Sequence, residues 1–341
     1  MSLAREVVKD LKLYVPGKPI EEVKRELGLE EIVKLASNEN PFGPSPRAVE
    51  AMLQSASKVH IYPDGNAFYL KEALARELGV DTEQLFLANG SDEVIQMIAV
   101  TFINPGDEAI MATPTFPRYQ PTVLMMNGVV HEIPLKNHDH DLEAFGDKIN
   151  SKTKLIYICN PNNPTGTFVP KAELDAFMAR VPESAIVIFD EAYFEFVDDP
   201  NYPNGLDYLA KGQNVMVMRT FSKMYGLAGL RLGYAVTKPE LVAAMNRVRE
   251  PFNVNSMAQV GALAALTDKE HVAKVKAANL AGRDYLYQAF AKLGLPYIPT
   301  VANFIMVDTG KDSAKVFQAL LKKGIIVRSG DIYGYDTSVR V

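Results

Sequence analysis

The sequence predicts an α/β protein: a mostly parallel sheet sandwiched by helices, with a smaller α+β domain beside it. Three observations carry this. Short β-rich runs alternate with helical patterns through most of the chain, the runs are apolar enough to be buried on both faces, and the pattern changes character from about residue 268. The expected division is residues 45–267 for the large domain, and residues 1–44 with 268–341 for the small one.

Taken in order, the N-terminal arm, with "YVPGKP" and "NENPFGPSP", has too little periodicity to fold alone and is expected to pack on the small domain. The strands of the large domain are "QLFLA" (84–88), "EAIMA" (108–112), "KLIYIC" (154–159), "AIVIF" (185–189) and "NVMVM" (214–218), separated by helical patterns such as 171–181. Beyond 268 come a long amphipathic helix, "ANFIMVD", the helix "SAKVFQALLKKG" and "IIVRSG".

Composition narrows the function. The 341 residues carry 36 basic and 41 acidic side chains, a net charge of -5 without like-charge blocks, which disfavours nucleic acid and membrane surfaces as partners. No apolar stretch reaches the length of a membrane span and no signal pattern opens the chain, so a cytoplasmic protein is expected. The single cysteine, Cys159, excludes an intrachain disulfide. "HEIPLKNHDH" gathers histidines without a fixed ligand frame, so no metal site is expected.

In such sheets ligands bind beyond the carboxyl ends of the strands. Four strand ends here carry polar segments: "NGSDE", "NPNNPTG", "DEAY" and "RTFSK". Gly90 and Ser91 open an apolar helix, where free N–H groups suit a phosphate, although Ser91 could simply cap the helix. Asp190 ends an almost wholly apolar strand and needs a cation or a structural ion pair. Lys223 sits in "MRTFSKMYGLAGLRLGYAV" among small and apolar residues. A lysine in dry surroundings is a usable nucleophile and base, the alternative being one that reaches out to solvent. Thr220, Ser222 and Arg231 add hydroxyls and a forked cation suited to a phosphate dianion. A phosphate together with an amine-reactive carbonyl points to pyridoxal 5'-phosphate.

The ordered set "NPNNPTG", "DEAY" and "TFSKMYGLAGLRLGY" resembles the fold-type I pyridoxal-phosphate aminotransferases, and "LASNENPFGPSP" with "YPDG" is similar to the histidinol-phosphate aminotransferase branch, from about residue 14 to the end. The resemblance implies a homodimeric two-domain enzyme with the cofactor between its domains. It further implies that Lys223 binds the cofactor covalently and shuttles a proton, that Asp190 pairs with the pyridinium nitrogen, and that Asn163 and Tyr193 bond the ring's phenolate oxygen. Gly90, Ser91 and Asp92 would receive the phosphate with Thr220, Ser222 and Arg231, and Tyr62 would add a bond from the neighbouring subunit. Tyr119 would stack on the cofactor face. Arg340 would grip the substrate carboxylate, with Arg328 nearby and Tyr14 contacting a substrate phosphate. Members usually continue past the last strand into a final helix, whereas this sequence stops at Val341.

The function the resemblance implies is amino transfer between histidinol phosphate and 2-oxoglutarate. An aromatic amino-acid aminotransferase, or a decarboxylase of phosphorylated amino acids, would share every cofactor contact. A ligand-sensing regulator on this fold would need a DNA-binding module, for which the motifs begin too early.

Overall fold

The computed structural model describes residues 3–9, 11, 13 and 16–341. The arm enters through β1 (Val33–Lys34). The main sheet then takes β2 (Leu85–Ala88), β3 (Glu108–Thr113), β4 (Val129–Pro134), β5 (Thr153–Cys159), β6 (Ile186–Asp190), β7 (Val215–Thr220) and β8 (Gly233–Val236), in the order β2-β8-β7-β6-β5-β3-β4. The pairings from β7 through to β4 are parallel, while β8 runs antiparallel between β2 and β7.

Two of these strands were not read from the sequence. β4 ("VVHEIP") lies at an edge with a half-wetted pattern, and β8 ("GYAV") opens on a glycine directly behind the loop "SKMYGLAGLRL", which hides its start.

Alternation along the central strands feeds two cores. Ile156 and Ile158 of β5 join one, with Val187 and Phe189 of β6, while Leu155, Tyr157 and Cys159 join the other, with Ile188. Both faces of the central strands are therefore covered, and polar residues emerge there mainly at the strand ends.

The remaining strands are short. They are β9 (Tyr297–Ile298), β10 (Met306–Asp308), β11 (Ile325–Ile326), β12 (Arg328–Ser329) and β13 (Ser338–Arg340). β12-β13-β10-β9 form an antiparallel sheet, beside which runs the long helix Lys269–Leu293. β1 pairs in parallel with β11, which carries residues 36–39 to the carboxyl ends of the large sheet.

Candidate active site

At those carboxyl ends lies a cavity of about 380 Å3. Asp190, Asn163, Thr220, Ser222, Lys223, Arg231, Ser91, Asp92, Tyr193, Arg328 and Arg340 all line it. It therefore gathers residues from both sheets and from the arm, which contributes Ser37, Asn38 and Glu39.

Asp190 closes β6 and is 5 % exposed. Its Oδ2 accepts from the Tyr119 hydroxyl at 2.6 Å and its Oδ1 from the backbone N–H of Ala192 at 3.2 Å, with no cation among these partners. Burial pushes its pKa up to about 6, against the pull of those two donors. The neighbouring Glu191, on the opposite side of the strand, is by contrast neutralised by Arg219 at 2.7 Å. An acid kept buried without a cation, beside one that has its own, is a site made for a positive ligand atom.

Lys223 follows β7, and its Nζ donates to the Ser37 carbonyl at 3.0 Å. Burial first, and then the Arg340 guanidinium, bring its pKa down to about 8. Tyr193 receives two amides on its hydroxyl, Asn38 Nδ2 at 3.0 Å and Asn163 Nδ2 at 3.4 Å. Its burial raises the phenol's pKa, which the Arg340 charge and the Asn38 bond partly counter.

The helix Ser91–Phe102 is capped by Gly90 at φ 84°. No side chain caps it, so Ser91 is its first residue and the free N–H groups face the cavity end. Glycine suits that position because side chains rarely adopt a φ of 84°, and the Arg231 guanidinium packs close beside it, with Nη2 2.6 Å from where a Cβ would stand. Arg231, itself at φ 55°, reaches Asp92 at 3.3 Å. The Thr220 hydroxyl donates to the Leu232 carbonyl and accepts from the N–H of Ser222, which folds the turn that carries Lys223.

Arg340 is 4 % exposed and meets no carboxylate among the described residues. It donates to Asn163 Oδ1 at 2.6 Å, to the Tyr333 hydroxyl at 3.2 Å and to the Ala36 carbonyl at 2.8 Å, while its Nε is buried without a partner. Arg328 lies directly across from it in the β12–β13 register, and both line the cavity.

One expectation comes out differently. Tyr119 does not line the cavity; it is fully buried behind Asp190, and Phe116, three residues earlier, lines the cavity in its stead. The helix starting at Tyr119 turns its ring inward onto Tyr157, with centroids 4.6 Å apart, whereas Phe116 precedes that helix and stays at the opening. Tyr62 is away from the cavity of its own chain, 79 % exposed and stacked on Phe252. Tyr14 lies outside the described residues. Sequence reasoning missed Asn38, Tyr333 and Phe116. Asn38 has a signal, since an asparagine in a proline-rich arm suits a left-handed residue, and it sits at φ 55°.

Residues 30–341 match the family model for aminotransferases of class I and II. The chain belongs to that family. This aminotransferase is 55% identical over 338 residues to a histidinol-phosphate aminotransferase of Moorella thermoacetica, covering 99% of this chain and 88% of the relative. It is 52% identical over 337 residues to that of Caldicellulosiruptor saccharolyticus, covering 99% and 94%. Its fold matches the crystal structure of histidinol-phosphate aminotransferase from Sinorhizobium meliloti in complex with pyridoxal-5'-phosphate, with a TM-score of 0.90 and 28% identity over 100% of this chain and 92% of that one. An aspartate aminotransferase of Thermus thermophilus, at 24% identity and a TM-score of 0.86 over 100% and 95%, shares the fold. Among the described residues of the aminotransferase no helix is long and apolar enough to cross a membrane.

Proposed function

We propose that this aminotransferase moves an amino group between histidinol phosphate and 2-oxoglutarate, with pyridoxal 5'-phosphate as cofactor, in histidine biosynthesis. The observation that carries the cofactor is Asp190, a buried carboxylate without a cation, lining the same cavity as an amine whose pKa is drawn down to about 8. The relatives' shared activity carries the substrate. The donor set fits the cofactor: Asp190 for the ring nitrogen, Tyr193 and Asn163 for the ring oxygen, and the N-terminal end of the helix Ser91–Phe102 with Ser222 and Arg231 for the phosphate. Bound there, pyridoxal 5'-phosphate supplies an electrophilic carbonyl and a protonated ring that accepts the electrons released when a C–H bond beside nitrogen breaks.

The chain's residues do the rest. Asp190 keeps the ring nitrogen protonated, because losing that proton would leave its own charge buried and unpaired. Lys223 Nζ would hold the cofactor at its carbonyl carbon and, as a free amine beside bound substrate, would take the proton from the substrate α carbon. Its depressed pKa leaves a usable share of neutral amine near neutral pH. Arg340 and Arg328 receive the α-carboxylate of glutamate or the phosphate of histidinol phosphate, since a guanidinium fork accepts either. Phe116 walls the cavity and keeps water from one side.

The same reading makes residues 45–267 one domain, the arm with 268–341 the other, and the protein a cytoplasmic homodimer. Large apolar side chains crowd the exposed 53–69 segment, among them Leu53, Val59, Ile61, Tyr62, Phe68 and Tyr69, as a subunit interface would require. Tyr62 of each subunit would then reach the neighbouring cavity. The test is a substrate panel on the cofactor-loaded enzyme. Histidinol phosphate and glutamate should each convert the cofactor to its amine form, read by absorbance. A large kcat/KM preference for phenylalanine or tyrosine, or carbon dioxide released from a phosphorylated amino acid, would replace this reading.

A further inference from the structure

We propose that Tyr119 is a positioning residue for Asp190, holding one carboxylate oxygen from behind the cavity wall so that the acid meets the cofactor's ring nitrogen in a fixed orientation. The purpose rests on the cofactor reading above; the contact itself does not.

Tyr119 has no exposed surface, and its hydroxyl lies 2.6 Å from Asp190 Oδ2. A phenol has one proton and an ionised carboxylate has none, so the tyrosine donates. The ring cannot swing away. Tyr157 stacks on it with centroids 4.6 Å apart, and Phe116 meets it edge-on at 5.7 Å. Phe116 lines the cavity, so this clamp ties the wall to the acid at its floor.

A neutral donor is the right chemistry for the task. A lysine or arginine in its place would fix Asp190 equally well but would also cancel its charge, leaving little to attract a ring nitrogen. Arg219 does that to Glu191 on the far side of the strand. The hydroxyl instead orients the carboxylate and leaves its full charge. The other ionisable groups around Asp190 are Asp92 on the helix Ser91–Phe102, Cys159 on β5, and Glu191 and Tyr193 at its own strand end. None of them donates to its oxygens, while the cavity's cations are engaged elsewhere, Lys223 on Ser37 and Arg231 on Asp92. Tyr119 is thus the side-chain donor to Asp190 among the described residues.

The experiment follows the Asp190 carboxyl by 13C NMR in the apoprotein. Tyr119→Phe loses a hydrogen bond to the charged form, so the titration should move up by roughly 1 to 2 pH units. A 3-fluorotyrosine at position 119 keeps the shape and is a stronger donor, so it should move the titration down. A ring with only a packing role would leave both titrations where the wild type has them, and that result overturns the proposal. If Tyr119→Phe does not fold, the sign of the fluorotyrosine shift decides. With pyridoxal 5'-phosphate added, Tyr119→Phe should bind it more weakly near pH 6 than near pH 8 relative to wild type, because the acid must first lose a proton. Asp190→Ala separates the two readings: wild-type cofactor affinity in that variant would refute the pairing of Asp190 with the ring. Weakened affinity there, with the Tyr119 titrations unmoved, would refute the role of Tyr119 alone.

Discussion

Replacing Asp190 by asparagine should stabilise the apoprotein while disabling the enzyme. Burial raises this carboxyl from 3.8 to about 6, and at 1.36 kcal/mol per pH unit the buried charge costs the empty fold about 3 kcal/mol. The sign follows from the folded pKa lying above the unfolded one. The cost is absent below about pH 4, grows between about 4 and 6, and is complete above about 6. Asparagine keeps the shape and can still accept from Ala192 or Tyr119, but carries no charge. Urea unfolding of apoprotein should therefore show Asp190→Asn more stable than wild type by up to about 3 kcal/mol near pH 8, the two converging near pH 4. Pyridoxal 5'-phosphate should reverse the order, because it gives the wild-type charge its partner. Turnover should fall by about 3 to 5 kcal/mol in activation free energy, the scale of a broken buried pair. Parallel stability curves across pH, or a variant no more stable than wild type near pH 8, would refute the argument that Asp190 is held charged and unpaired in wait for a cation.

Other outcomes follow from the same geometry. Lys223→Ala should leave no borohydride-reducible linkage to the cofactor and no turnover, and in wild type the rate of cofactor capture should rise with pH through about 8 as the amine loses its proton. Gly90→Ala strains the backbone at a φ of 84° and displaces the Arg231 guanidinium, and should weaken cofactor binding by about 1 to 3 kcal/mol in an equilibrium titration; unchanged affinity would refute a part for this turn in holding the phosphate. Arg328→Ala should lower kcat/KM for histidinol phosphate more than for glutamate, by about 1 to 3 kcal/mol, and equal losses would remove its part in telling them apart. Hybrids of a Lys223→Ala chain with a chain inactivated at Tyr62 should recover activity that neither parent has, whereas fully active monomers would contradict a shared site.

The strand ends and the polar groups they carry are legible in the local pattern of the chain. Asp190, Lys223, Asn163 and the Gly90–Ser91 turn each stand within a few residues of a strand whose burial forces any polar group there to have a purpose, and that logic is local. The tertiary structure alone decided which side of a segment faces the cavity and what is brought from far away. Phe116 and Tyr119 are three residues apart, and only the start of a helix between them puts one in the wall and the other behind Asp190. Asn38 reaches Tyr193 across 155 residues because β1 pairs with β11, and its signal as a left-handed asparagine does not name that partner. Arg328 and Arg340 oppose each other only through the register of two short strands. Composition and periodicity report how a residue relates to its own element, whereas these contacts depend on how separate elements pack, which no local pattern encodes.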